Sequence, residues 1–128
     1  MGKTGLVLLL ASILLAGCVA TAYQPLAFTG GYKDTKVAED RYQVHFEANG
    51  WTSEETAKTY LMYRCAELTL SLGYDSFIPQ NMTMEHTGIA IAGWPESDVE
   101  IVMFKGKDTP NAVIAADVIK ELEPKIRR

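Results

Sequence analysis

RYQVHFEANGWTSEETAKTYLMYRCAELTLSLG, residues 41–73, holds the two periodicities on which the fold turns. Its first seven residues alternate, with Tyr42, Val44 and Phe46 on one side and Gln43, His45 and Glu47 on the other. That is the pattern of a strand with one apolar and one wet face. Asn49-Gly50 breaks the alternation, and Thr52-Ser53-Glu54-Glu55 opens a helix as a capping box, Thr52 bonding the amide of Glu55 while Glu55 reaches back. Ala57, Tyr60, Leu61, Arg64, Cys65, Leu68 and Leu72 then recur at steps of three and four as one stripe. Gly73 supplies a left-handed cap. About 20 residues at 1.5 Å each give a helix of ~30 Å, long enough to lie along a strand and cover one face of a sheet.

Outward toward the C-terminus, Ser76-Phe77-Ile78 reads as a short strand bounded by Pro79, which has no N–H to give a ladder. In residues 80–97 Met82 and Met84 prolong the alternation, Gly88 to Gly93 reads as a weak strand or a loop, and Trp94-Pro95-Glu96-Ser97 as a turn. Val99 to Lys105 is the most apolar strand and suits a central position, ended by Gly106. Thr109-Pro110 predicts the cap and first residue of a second helix, with Ile114, Val118 and Leu122 on one stripe up to Pro124. The expected fold is α+β, a small two-layer sandwich of order β-α-β-β-α. Its mixed three- to four-stranded sheet carries both helices on one face. A right-handed crossover through the first helix joins strands one and two, and strands two and three pair antiparallel. Gln43, His45 and Glu47 argue that the other face is open.

Toward the N-terminus, residues 19–40 carry Pro25, Gly30 and Gly31 without sustained periodicity and read as a tether that gains order toward its end. Before them, Lys3 precedes an uncharged run of eleven residues, Leu6 to Ala16, and Leu15-Ala16-Gly17-Cys18 follows. This is export-signal grammar, and the run is about half the ~20 residues a spanning helix needs. LAGC resembles a bacterial lipobox, in which a diacylglycerol joins the cysteine sulfur before cleavage. The expected division is a signal peptide over 1–17, a lipidated tether over 18–40 and one domain over 41–128. Cys18 is the lipid attachment point, and diacylation with amine acylation makes a stable anchor where one chain would not. Val19 in place of an aspartate favours the outer membrane. The other reading is an ordinary secretory signal cut after Ala20 or Ala22.

The 128 residues are 48% hydrophobic with a formal charge of −4 and two cysteines. That excludes a strongly basic nucleic-acid binder and a disulfide-stapled miniprotein. With Cys18 acylated, Cys65 is the one thiol left, and stability must come from packing.

Several pieces together resemble a known group. They are Tyr23-Gln24-Pro25, Gly30-Gly31-Tyr32, Val44-x-Phe46, Asn49-Gly50-x-Thr52-Ser53 with Glu55-Thr56, Tyr60, Arg64-x-Ala66-Glu67-Leu68-Thr69 and Gly73-Tyr74-Asp75-x-Phe77. Met103-Phe104-Lys105-Gly106 and Pro124-Lys125-Ile126 complete the set. The chain is similar in them to short Gram-negative, largely proteobacterial, lipoproteins without an assigned activity. The resemblance implies a periplasm-facing, membrane-tethered domain and carries over no catalytic residue. Cys65 stands where the pattern has alanine, and Asn81 to Ser97 follows no fixed pattern.

Cys65, on the buried stripe, reads as a core residue, with an oxidant-sensing thiol beside Arg64 as the alternative. His45 and His86 lack companions at metal-ligand spacing and read as solvated. Arg64 on an apolar stripe needs an acid, Asp75 or Glu67, or else a ligand carboxylate or phosphate. Tyr60, Tyr63, Tyr74, Phe77 and Trp51 read as core and rim rather than a carbohydrate platform. Lys125, Arg127 and Arg128 form a solvated basic end. No hydrolase elbow, zinc pair, phosphate loop or redox motif is present, and neither a metal nor another cofactor is expected.

The expected role is a non-catalytic interaction or envelope-maintenance module. His45, Arg64 and Trp94 are its candidate contact residues. Its partners are the membrane through Cys18 and an envelope protein or glycan, and nucleic acid is not among them. The alternative is an envelope sensor or small-ligand-binding protein using Cys65 or the Arg64 region.

Overall fold

The computed structural model describes residues 19–87 and 94–128. Val44 and Phe46 of the alternating strand are fully buried, against Ala57, Tyr60, Leu61 and Cys65 of the helix that follows. The chain forms β1 (Gly31–Ala38), β2 (Arg41–Glu47), α1 (Glu54–Ser71), β3 (Ser76–Thr87), β4 (Trp94–Phe104), β5 (Val113–Ile114) and α2 (Ala115–Leu122). A 3-10 turn, Glu123–Lys125, closes it. The sheet is five-stranded in the order β1-β2-β4-β3-β5, and α1 packs on β2, β4 and β3 and on α2. The fold is α+β.

The sheet is antiparallel throughout, not mixed. β2 and β3 do run the same way, joined through α1. However, β4 returns from β3 and inserts between them, taking both as antiparallel neighbours. The insertion follows from apolarity. Val99, Ile101 and Met103 are at most 1% exposed, a burial available only between two neighbours and beneath a helix.

Three expected boundaries move for identifiable reasons. β1, inside the expected tether, pairs with β2 through a tight turn at Glu39-Asp40. It is an edge strand whose residues are mostly exposed, so Lys33, Asp34 and Lys36 are tolerated and its apolar alternation is faint. β3 runs on through Pro79, because β5 pairs only with Ser76 and Phe77 and leaves β3 with one neighbour beyond them. One extra residue is then accommodated between Gln80 and Thr83, with Asn81 at φ 52°. The bulge lets Met84 and His86 face the helix as Phe77 and Pro79 do before it. Trp94 to Ser97, expected as a turn, are the first residues of β4. The Gly88 to Gly93 segment lies outside the described residues.

The helix ends differ as well. Ser53, not Thr52, caps α1, accepting from the Thr56 amide at 3.1 Å. Gly73 at φ +84° ends it as expected. Thr109-Pro110 forms a turn closed by Asn111 at φ 65°, and α2 begins only after the two residues of β5.

Candidate functional site

The two faces of the sheet present different chemistry. On the open face the β2 polar residues meet a matching set on β4. His45 stands directly opposite Asp98, with Nδ1 3.0 Å from Oδ1, and its Nε2 lies 3.8 Å from Glu47 Oε2. Farther along the face, Arg41 reaches diagonally to Glu100, its Nε 3.3 Å from Oε1. Lys33 of β1 completes the row beside His45. These side chains are between a quarter and a half exposed where they form ion pairs.

Under α1, Arg64 enters a closed network. Its guanidinium grips Asp34 of β1, with Nη2 donating to Oδ2 at 2.5 Å and Nε to Oδ1 at 3.1 Å. Nη1 donates to Glu67 Oε1 at 2.7 Å. The Tyr32 ring lies flat against the charge, its centroid 4.1 Å from Cζ, an attraction of ring quadrupole and cation. Burial works against the Arg64 charge, and hydrogen bonding and attraction from Asp34 outweigh it, raising its pKa above the ordinary value.

Tyr23 ties this cluster to the rest of the chain. Its hydroxyl donates to Glu67 Oε1 at 2.8 Å, and its ring packs tilted against Tyr32 at 4.9 Å and meets Tyr60 and Tyr63 edge-on at 5.7 and 5.0 Å. Its amide donates to the Arg127 carbonyl at 2.6 Å, and the Arg127 amide donates to the Tyr60 hydroxyl at 3.1 Å. Tyr63 donates to Glu123, and Arg128 donates to Tyr63 at 3.3 Å. Burial, then Glu67, raises the Tyr23 pKa; burial, then the Glu123 hydrogen bond, raises that of Tyr63. Among the described residues, no buried side-chain nitrogen or oxygen lacks a partner.

Three residues past Cys18, Thr21 makes a second knot. Its amide donates to Thr52 Oγ1 at 2.8 Å, its hydroxyl to the Thr29 carbonyl at 2.9 Å, and the hydroxyl oxygen accepts from the Asn49 amide at 2.8 Å. Asn49 Nδ2 donates to the Val19 carbonyl at 2.8 Å. Gly30 is required here, since at φ +105° a side chain would strain the backbone and a Cβ would come 2.3 Å from the Glu47 carbonyl oxygen. The folded unit thus extends upstream of residue 41, to Thr21 and Tyr23 in the core.

The candidate contact residues are not gathered together. His45 lies on the open face, Arg64 lies under α1 on the opposite face, and Trp94 is placed by its backbone alone, opposite Thr87. Cys18 lies outside the described residues. The Arg64 partners are Glu67, as expected, and Asp34, while Asp75 instead accepts from the Gly106 amide at 2.6 Å. His86, expected as solvated, is exposed and lies 2.7 Å from Glu54. Cys65 is fully buried, and burial followed by the nearby Asp34 charge raises its thiol pKa. Neither Asp34 nor the bonding role of Tyr23 is among the expected features. The alternation of Tyr32 and Asp34 within GYKDTKVA was the available signal, muted by the lysines around it.

Among the described residues no three histidine, cysteine, aspartate or glutamate side chains are grouped to hold a metal ion, and no helix is long and apolar enough to cross a membrane. The chain matches no family model, no curated protein and no solved structure.

Proposed function

We propose that this chain is a lipoprotein anchored through Cys18, facing the periplasm from the outer membrane. Its domain serves as a non-catalytic interaction or envelope-maintenance module through the open sheet face. The observation that carries this reading is the Thr21 knot. A chain that is fixed to two loops only three residues after the lipidated position holds its domain against the bilayer, where an envelope component meets it in a defined orientation. The sequence grammar of residues 3–18 supports the anchor, and the partly exposed charges on β2 and β4 support the face. The competing sensor or ligand-binding reading finds its thiol buried, and its arginine faces two carboxylates that an anion would have to displace.

The test places a photocrosslinking residue in living cells at Gln43, exposed on the open face, or at Lys58, exposed on α1. Detergent-phase partitioning is followed alongside. The expected outcome is a detergent-phase protein, released by Cys18→Ala, that crosslinks one envelope component from position 43 and not from 58. Loss of that crosslink in Asp98→Lys ties it to the face. Aqueous partitioning of the unaltered protein defeats the anchor, and equal crosslinking from both positions defeats the face.

A further inference from the structure

Large apolar side chains collect where the chain leaves the fold toward Cys18. Phe28 is 102% exposed, Trp51 65% and Val19 62%. Each adjoins in sequence, or is bonded to, a residue of the Thr21 knot. Phe28 precedes Thr29, whose carbonyl accepts from Thr21, in a tight turn closed by Ala27 and Gly30. Trp51 precedes Thr52, which accepts from the Thr21 amide, and its own amide donates to Asn49 Oδ1 at 3.1 Å. Val19 is held by Asn49. A folded chain gains nothing from two aromatics left in water on separate turns, both fixed by the same threonine.

We infer that Phe28 and Trp51, with Val19, form a membrane-contact rim that rests in the headgroup region of the bilayer. This rests on the proposed anchor. One peptide unit, about 3.8 Å between Cα atoms, separates Val19 from the residue that would carry the lipid, so a bilayer is the surface the rim meets first. Tryptophan favours that zone, with an apolar ring and a polar N–H. Depth is limited by Glu54 and Glu55, exposed at the head of α1 three and four positions after Trp51; carboxylates resist the hydrocarbon. The rim therefore fixes the height of the domain and turns the end of the sheet where Gly31 pairs with Glu47 toward the bilayer.

The test uses the full chain produced in bacteria, extracted from membranes and reconstituted into phosphatidylethanolamine–phosphatidylglycerol vesicles whose upper acyl carbons carry bromine. Trp94→Phe leaves Trp51 as the reporter. The Trp51→Phe chain, measured beside the unaltered protein, gives the same signal by difference if Trp94→Phe disturbs the fold. Mass analysis reads the acyl chains on Cys18. Acylation with Trp51 emission shifted to the blue and quenched by bromine supports the rim, and Phe28→Ser should weaken the quenching. Acylation with Trp51 emission unquenched overturns the rim and leaves the anchor standing. An unacylated Cys18 overturns both.

Discussion

The two faces of the sheet carry similar side chains to different ends. Under α1, Arg64 and Asp34 are packed among four tyrosines, each side chain 17% exposed, with Glu67, 33% exposed, at the rim of the cluster. On the other side, His45, Asp98, Glu47 and Glu100 sit a quarter to a third exposed. A charge pair shut away from water must be complete, because one partner alone leaves a stranded ion. A wet pair contributes little and exchanges partners at small cost. The covered face is thus committed to architecture, and the open face retains the freedom that binding requires.

The largest effect should come from the apolar layer that keeps the first face dry. Phe46→Ala, at a fully buried position, should cost about 3–5 kcal/mol in urea unfolding. Next, Arg64→Met strands Asp34, and a loss of about 2–3 kcal/mol is expected, below that of a fully buried pair because some water remains. Arg64→Met with Asp34→Leu should lose less than Arg64→Met alone. If the double variant is the worse of the two, the network is more than a neutralised pair.

Tyr23→Phe removes the hydrogen bond to Glu67 and should cost about 1 kcal/mol at neutral pH. It should also alter the alkaline limb. A tyrosine whose folded pKa is raised contributes stability that is full below the unfolded value of 10.0 and is lost as pH climbs beyond it. The variant should unfold less steeply above pH 10.0. Glu123 has the opposite sign. Its carboxyl, held below the ordinary 4.5 first by the Tyr63 hydroxyl, adds stability above that pH, and the contribution fades as pH falls through the folded value. Glu123→Gln should slightly flatten the acid limb of the unfolding profile. Smallest of all, Asp98→Asn on the open face should shift stability by less than about 1 kcal/mol, with its effect on partner crosslinking far larger. A stability loss equal to that of Arg64→Met would erase the contrast between the faces.

The sequence made β2, α1 and the core of β4 legible because each has one buried side and a clean period. β1 was opaque because an edge strand buries little and carries lysines as a shield. β3 outruns its expected end because Pro79 signals a boundary wherever a strand has two neighbours, and here it has one. On the candidate site, His45 and its wet face could be read from RYQVHFE alone, and the need of Arg64 for an acid from its place on the stripe. Glu67 could be read as well, three positions along the same helix, whereas Asp34 could not, since it is thirty positions away on β1.

The bulge in β3 can be regarded as a counter. Before it, odd-numbered residues face the helix; after it, even-numbered ones do, so that His86 rather than Glu85 reaches Glu54. A ladder drawn straight through would set two carboxylates side by side at the head of α1. Asn81, at φ 52°, absorbs the odd residue, and the faces answer to their neighbours across the ladder instead of to position along the chain. A chain shortened by Asn81 alone would keep every later β3 side chain on its present side while giving up only the local twist.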